Sequence, residues 1–381
     1  MNIAWLDLRH HMLRFLISTI GLGLLFTAMI GMVGLYRGVS YEAFIIIRSI
    51  GADIWITQGG RAGPFAEESE ISGTLERRLA GVPGVVWARK FIEFNQQFKF
   101  GDRRRRIGVI GLDFPEDNGS WVPLVQGRHL YSGHYEVLVD KSLGFPLGTV
   151  LRVGRDDYTV VGITAGQVDM AGDGLMFVTI GDAQTIKNEA PSEAILLRRA
   201  SLSDVGPAKP KSNTVAAVMV KLDFGADIEQ VKKFVQNWGD VSVYTNEEQE
   251  DILLNSRLWR LRLQILAFVV MTFFVTLIVV GLSIYTATLE KVHQIALLKL
   301  IGAQDRFIVW MIMQQALLMG AMAFAGGLAV SYVLYPHFPR TVLLLRNDII
   351  MEGISALALC AAASWFGIRK ALRVQAQEVL S

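Results

Sequence analysis

The residues of this chain that could do covalent or ligating chemistry are six histidines, one cysteine, a run of four arginines and a few short acidic clusters. Their spacing withholds most of that chemistry. His10, His11, His129, His134, His293 and His337 are scattered, and His129 and His134 stand five apart with no third ligand at a zinc-like spacing. Glu67, Glu68 and Glu70, like Asp113, Glu116 and Asp117, read as solvated loops. No serine sits in a nucleophile motif, and no Gly-Lys dipeptide occurs, which excludes a P-loop from this sequence. Arg103 to Arg106 follow a turn predicted at Gly101-Asp102. They could meet an acidic partner or an anionic headgroup, or simply keep a hairpin edge soluble. Neither catalytic residues, a metal site nor a bound cofactor is expected of this chain.

Another kind of chemistry, that of contact, is written between Glu290 and Arg306. Ile295, Ala296, Leu297, Leu298, Leu300 and Ile301 make a short helix, bounded by Glu290, Lys291 and Lys299, that is too apolar for free solvent. Glu290 and Gln294 share a helical face at i and i+4. Such a patch implies a partner surface, or a helix resting on lipid headgroups.

The elements that must position this segment are four long apolar runs: Phe15 to Tyr36, Leu263 to Leu289, Phe307 to Pro339 and Gly353 to Ile368. A bilayer core takes about 20 apolar residues as helix. The last run reaches that length with Ile349 to Glu352, which puts Glu352 at the interface. The composition fits, with 52% hydrophobic and 19% charged residues, and a net charge of +2 gives no case for nucleic acid. The first run is too long for a signal-peptide core, and bulky Leu35-Tyr36-Arg37 follows it instead of a cleavage pattern. Cys360 lies inside the fourth run, so the soluble part has no disulfide. Arg9, Arg14, Lys291, Lys299, Arg306, Arg369, Lys370 and Arg373 fall on one side, against Arg340 and Arg346 on the other. That bias puts both termini in the cytoplasm. Gly23, Gly31, Gly34 and Gly38 in the first span, and Gly367 in the fourth, let helices approach closely, within one chain or between two copies.

Residues 37–262 read as an outer stalk and domain. Tyr41 to Ile50 and Leu253 to Gln264 continue the first two spans as helix. Strands are expected at Ala52 to Thr57, Val85 to Trp87, Glu93 to Phe100, Arg106 to Leu112, Glu136 to Val139, Thr149 to Val153, Tyr158 to Ile163, Leu175 to Thr179, Thr214 to Leu222 and Val241 to Thr245. Helices are expected at Ile71 to Leu79 and Ile228 to Trp238, and a loop at Ser201 to Asn213. The fold class is an α-helical membrane protein with four transmembrane helices, one plus three. A large extracytoplasmic α+β domain of two subdomains is inserted between the first two helices, the β-rich subdomain at about residues 120–211.

The run Glu290-Lys291-Val292-His293-Gln294-Ile295-Ala296-Leu297-Leu298-Lys299-Leu300-Ile301-Gly302-Ala303 resembles the loop signature of FtsX-like, MacB-type permeases. Asn2 to Arg14 resembles that family's amphipathic lead-in helix, and Gln126-Gly127-Arg128, Glu136 to Val139 and Val160 to Ile163 resemble its outer-domain strands. Gln294 departs from the usual acidic residue, and Gly148-Thr149 from the usual Gly-Asp.

The resemblance implies a domain plan. Residues 1–14 are the cytoplasmic lead-in helix; 15–36, 263–289, 307–335 and 349–368 are the spans; 290–306 is a cytoplasmic coupling loop; 336–348 is a short outer loop; and 369–381 is a cytoplasmic tail. It also implies ATPase coupling through Glu290, Lys291, Gln294, Leu298, Lys299 and Gly302, with ATP and Mg bound by a separate ABC ATPase subunit. The implied assembly is a homodimer in the bacterial inner membrane, in contact with membrane lipids, with a periplasmic adapter and an outer-membrane channel as further partners. The implied function is export or extraction of an amphiphilic cargo (lipid, lipoprotein or hydrophobic small molecule) by mechanotransmission. The alternative is an FtsX-like regulator that activates a cell-wall hydrolase without moving cargo.

Overall fold

The computed structural model describes residues 12–100, 103–189, 213–290, 292–338 and 340–373. Nine α-helices are described: α1 (Met12–Ser49), α2 (Leu75–Ala80), α3 (Ile180–Glu189), α4 (Ile228–Gln236), α5 (Asn246–Ile252), α6 (Trp259–Glu290), α7 (Val292–Leu300), α8 (Asp305–Leu334) and α9 (Arg346–Arg373). The strands are β1 (Ile54–Gln58), β2 (Ile71–Ser72), β3 (Val85–Phe100), β4 (Arg103–Leu112), β5 (Leu124–Gly127), β6 (Glu136–Asp140), β7 (Val150–Val153), β8 (Asp156–Thr164), β9 (Leu175–Thr179), β10 (Thr214–Val215), β11 (Ala217–Leu222) and β12 (Val241–Thr245). The chain divides into two compact units, one of residues 40–259, the other of residues 1–39 with 260–381. The lead-in segment up to residue 11, the turn at Gly101-Asp102, the loop from Ser201 to Lys211 and Ser212, and the tail beyond Arg373 lie outside the described residues.

In the helical unit, α1, α6, α8 and α9 are each long and apolar enough to cross a membrane. Hydrophobic residues surround most of each helix, as expected where the solvent is lipid. The inward residues form a core of Leu22, Phe26, Val280, Ile284, Ile312, Ala316, Leu359 and Cys360 among others. Small residues set the approach of α8 to α9. A methyl group added at Gly320 would stand 2.5 Å from Cys360 Sγ. Glu352 is buried within this unit.

The unit of residues 40–259 is built on one sheet in the order β12-β1-β11-β3-β4-β9-β6-β8-β5, with β7 paired to β8. The two groups of strands expected as subdomains share this ladder, joined where β4 runs parallel to β9 from Gly108 to Leu112. One core runs under both, from Ile54, Val218 and Val243 to Val137, Val160 and Met176. Local signals fix the helix ends. The Asp227 carboxylate caps α4 by accepting from the N–H groups of Glu229 and Gln230. Thr245 and Glu248 form a reciprocal capping box at the start of α5.

Three elements differ from the sequence expectation, each for a tertiary reason. The helix expected from Ile71 starts only at Leu75, because Ile71 and Ser72 pair with β10 and Gly73 lies against Asn213. Strand β3 runs unbroken through Arg89 and Lys90, which interrupt its apolar pattern. Those charges are matched in space, Lys90 by Asp113 at 3.0 Å and Glu76 at 2.9 Å, and Arg89 by stacking on Trp87. The helical continuation expected from Leu253 is interrupted by a π turn over Leu253–Arg257, closed by the Leu258 N–H donating to Leu253 O. There Arg257 Nε donates to Ala66 O, anchoring the turn to a neighbouring loop.

Candidate functional site

The candidate coupling segment folds from its glycine outward. Helix α7 ends because Gly302 adopts φ +94°, a left-handed conformation costly for a residue with a Cβ. Nothing lies within 4 Å of where that Cβ would be, so the need for glycine here is conformational and not steric. The Gly302 N–H donates to Lys299 O, and Lys299 Nζ meets Asp305 Oδ1 at 3.2 Å, tying α7 to the first turn of α8.

On α7, Ile295 is 1% and Ala296 0% exposed, whereas Leu297, Leu300 and, in the turn that follows, Ile301 are 45%, 51% and 85% exposed. Ile295 packs into the helical core with Ile284 and Ile308, so the segment is anchored by one face while the other stays open. Glu290 closes α6 at the surface. Gln294 and Leu298 lie within α7, but their side chains, like Lys291, are outside the described residues.

The glycines of α1 face their own chain. A methyl group at Gly23 would stand 3.2 Å from Ala323 O, at Gly31 2.0 Å from the Tyr335 hydroxyl, at Gly34 2.6 Å from Val342, and at Gly38 1.7 Å from Thr341 O. Hydrogen bonds follow the close approach. Thr27 Oγ1 donates to Gly23 O at 2.9 Å and lies 3.1 Å from Gly327 O, Tyr335 donates to Thr27 O, and the Leu343 N–H donates to Gly34 O. A forked pair from Arg37 to Asp348, at 2.7 and 2.9 Å, ties α1 to α9. This face of α1 is filled within one chain. Gly367 lies within α9.

In the unit of residues 40–259, the chemistry-bearing side chains serve structure. His134 Nδ1 is 2.9 Å from Asp182 Oδ1, and among the described residues no cluster of three or more metal-ligating side chains occurs. Asp113 and Asp117, expected as solvated, are buried; Asp113 holds Lys90, and Asp117 accepts from Trp121 Nε1 and the Gly119 N–H. The Arg128 guanidinium and the N–H groups of Tyr131 and Ser132 all donate to Glu136, holding its carboxyl down at about 2. Sequence reasoning missed Glu93. Burial, reinforced by Asp169 and opposed by Arg257, pushes its carboxyl up to about 7, and its Oε2 has no hydrogen-bond partner among the described residues. Nothing in the local alternation of β3 marks it, because its environment is assembled from β3, the loop holding Asp169 and the π turn.

A family model described as the MacB-like periplasmic core domain matches residues 15–237, and one described as the FtsX-like permease C-terminal region matches residues 266–376. An uncharacterized ABC transporter permease of Mycobacterium tuberculosis (strain H37Rv) is 24% identical over 369 residues, which is 97% of this chain and 95% of the relative. One of Mycobacterium bovis matches to the same extent. Among solved structures, the extracellular domain of the noncanonic ABC-type transporter YknZ from Gram-positive bacteria gives a TM-score of 0.36 at 14% identity, covering 51% of this chain and 100% of that one. The periplasmic region of MacB from Actinobacillus actinomycetemcomitans gives 0.35 at 13%, covering 55% and 96%. The first family model alone spans more than half of the sequence, and the second takes in α7 and the helices on either side of it, so the chain belongs to the FtsX/MacB-type family of ABC transporter permeases.

Proposed function

We propose that this chain is the permease subunit of an ABC transporter that works on an amphiphilic cargo at the outer face of the bacterial cytoplasmic membrane, driven by ATP hydrolysis on a separate subunit. One observation carries the reading: α7 is anchored by Ile295 and Ala296 yet leaves Leu297, Leu300 and Ile301 open between two membrane-length helices. An apolar surface of that kind at a polar boundary is a docking site for another protein. In this reading the occupant is the ATPase, which binds ATP and Mg, and movement of α7 passes into α6 and α8. The positive bias of the sequence supports cytoplasmic termini, with one span before and three after an extracytoplasmic domain. Few charges fall within the spans, which disfavours a polar channel and favours mechanotransmission to cargo handled outside. The complex holds two permease copies. The Gly23 to Gly38 face of α1 is already occupied, so the copies meet through other surfaces.

The test is association and coupling in native membranes. Leu297→Glu and Ile301→Glu place charges on the open face without entering the core. Each is expected to lower ATPase co-purification and permease-stimulated ATP hydrolysis roughly tenfold or more. Ala296→Glu, aimed into the core, serves as the misfolding control. Wild-type association and stimulation by both open-face variants would sink the assignment.

A further inference from the structure

The exposed face of the β3–β4 ribbon carries charges that the fold does not use. Strand β11 pairs with β3 only from Val85 to Phe91, and β9 with β4 only from Gly108 to Leu112. Beyond those points, the stretch from Ile92 to Phe100 and that from Arg103 to Ile107 have ladder partners only in each other among the described residues. One face of this ribbon is packed: Phe98 and Ile107 are buried, Phe100 lies 5.0 Å from Phe145, and Arg105 donates to Leu143 O.

Beyond Glu93, toward the turn, the other face is open and cationic: Asn95, Gln97, Lys99, Arg104 and Arg106 are exposed. Lys99 stands in register opposite Arg104, and Gln97 opposite Arg106. Like charges directly across a strand pair are destabilising, so keeping a soluble edge does not explain this pair, since one charge suffices for that. Arg106 has its acid, Asp173, at 3.3 Å. Lys99 and Arg104 have no acidic partner among the described residues. Beside Lys99, the outer edge of β3 from Phe94 to Phe100 is a strand length of main chain without a ladder neighbour among the described residues.

We propose that this ribbon docks an acidic, extended segment of a partner protein. The segment adds as a strand to the free edge of β3, and its carboxylates meet Lys99 and, one strand further, Arg104. Main-chain pairing supplies the geometry and the two cations the selectivity. The inference is independent of the coupling role of α7, because neither Lys99 nor Arg104 belongs to the helical unit.

The test uses the full chain in phosphatidylcholine nanodiscs and a fluorescent peptide of about eight residues alternating Thr and Glu, the length of one strand. Fluorescence anisotropy should show saturable binding, weakened roughly tenfold or more by Lys99→Glu with Arg104→Glu, and similarly by N-methylation of alternate peptide amides. The single variant Lys99→Glu should keep or raise the unfolding midpoint while losing binding, since it turns a repulsive pair into an attractive one. Absence of saturable binding overturns the proposal, as does equal affinity for wild type and the double variant. Undiminished binding of the N-methylated peptide, or capture of phosphatidylglycerol vesicles in preference to the peptide, overturns it in favour of a simple anionic surface.

Discussion

Glu93 shows how one desolvated carboxyl sets a pH response. Its carboxyl titrates near 7 in the folded chain and near 4.5 when exposed. Between these values the unfolded state has released its proton and the folded state has not, so raising the pH costs stability through that window. Below about 4.5 the penalty is absent; above about 7 it is complete, at most about 3 kcal/mol. Glu93→Gln should therefore match wild type at pH 4 and unfold at a higher temperature at pH 8, read by differential scanning fluorimetry of the full chain in detergent. Equal midpoints at pH 8 would show that the carboxyl is relieved by water or by Arg257. Gly38 makes the steric counterpart. A methyl group there would overlap Thr341 O, which is backbone and cannot rotate away. Gly38→Ala should thus cost about 1–3 kcal/mol, the overpacking range, whereas Gly21→Ala, with open space around it, should be neutral or stabilising.

At the scale of elements, the strands and helices follow their local patterns where neighbours agree with them and depart where a contact overrides. Val241–Thr245 forms where alternation and β-branched residues put a strand, and Leu175–Thr179 where a short apolar run does, buried on both faces. Strand β3 crosses two charged positions because Glu76 and Asp113 answer Lys90 from other elements, a match no local window contains. The capping box of α5 is the reverse case, legible in Thr245 and Glu248 at their spacing. Glu248 also meets Lys232 of α4, so the cap joins two helices. Thr245→Ala should lower stability by about 1 kcal/mol, and amide hydrogen exchange should rise first across α5. Protection unchanged there would mean that the Lys232 contact alone holds the helix end.

For the whole molecule, the arrangement to be tested is orientation. Alkaline phosphatase inserted at Gly154-Arg155, the two-residue turn between β7 and β8, should be active, and a fluorescent protein fused after Ser381 should fluoresce. The opposite pair of results would reverse the topology and move α7 away from any cytoplasmic ATPase. By itself the sequence determined the four membrane-length helices, the mixed domain between the first and second, and the apolar segment after Glu290. These rest on composition and periodicity, which local residues carry in full. Only the tertiary structure decided that the Gly23 to Gly38 face closes on its own chain, that Ile295 and Ala296 turn inward while Leu297, Leu300 and Ile301 turn out, and that Glu93 Oε2 is buried and Lys99 stands opposite Arg104. Each depends on which residues, far apart in sequence, become neighbours, and register and helix rotation are set by packing that no single segment encodes.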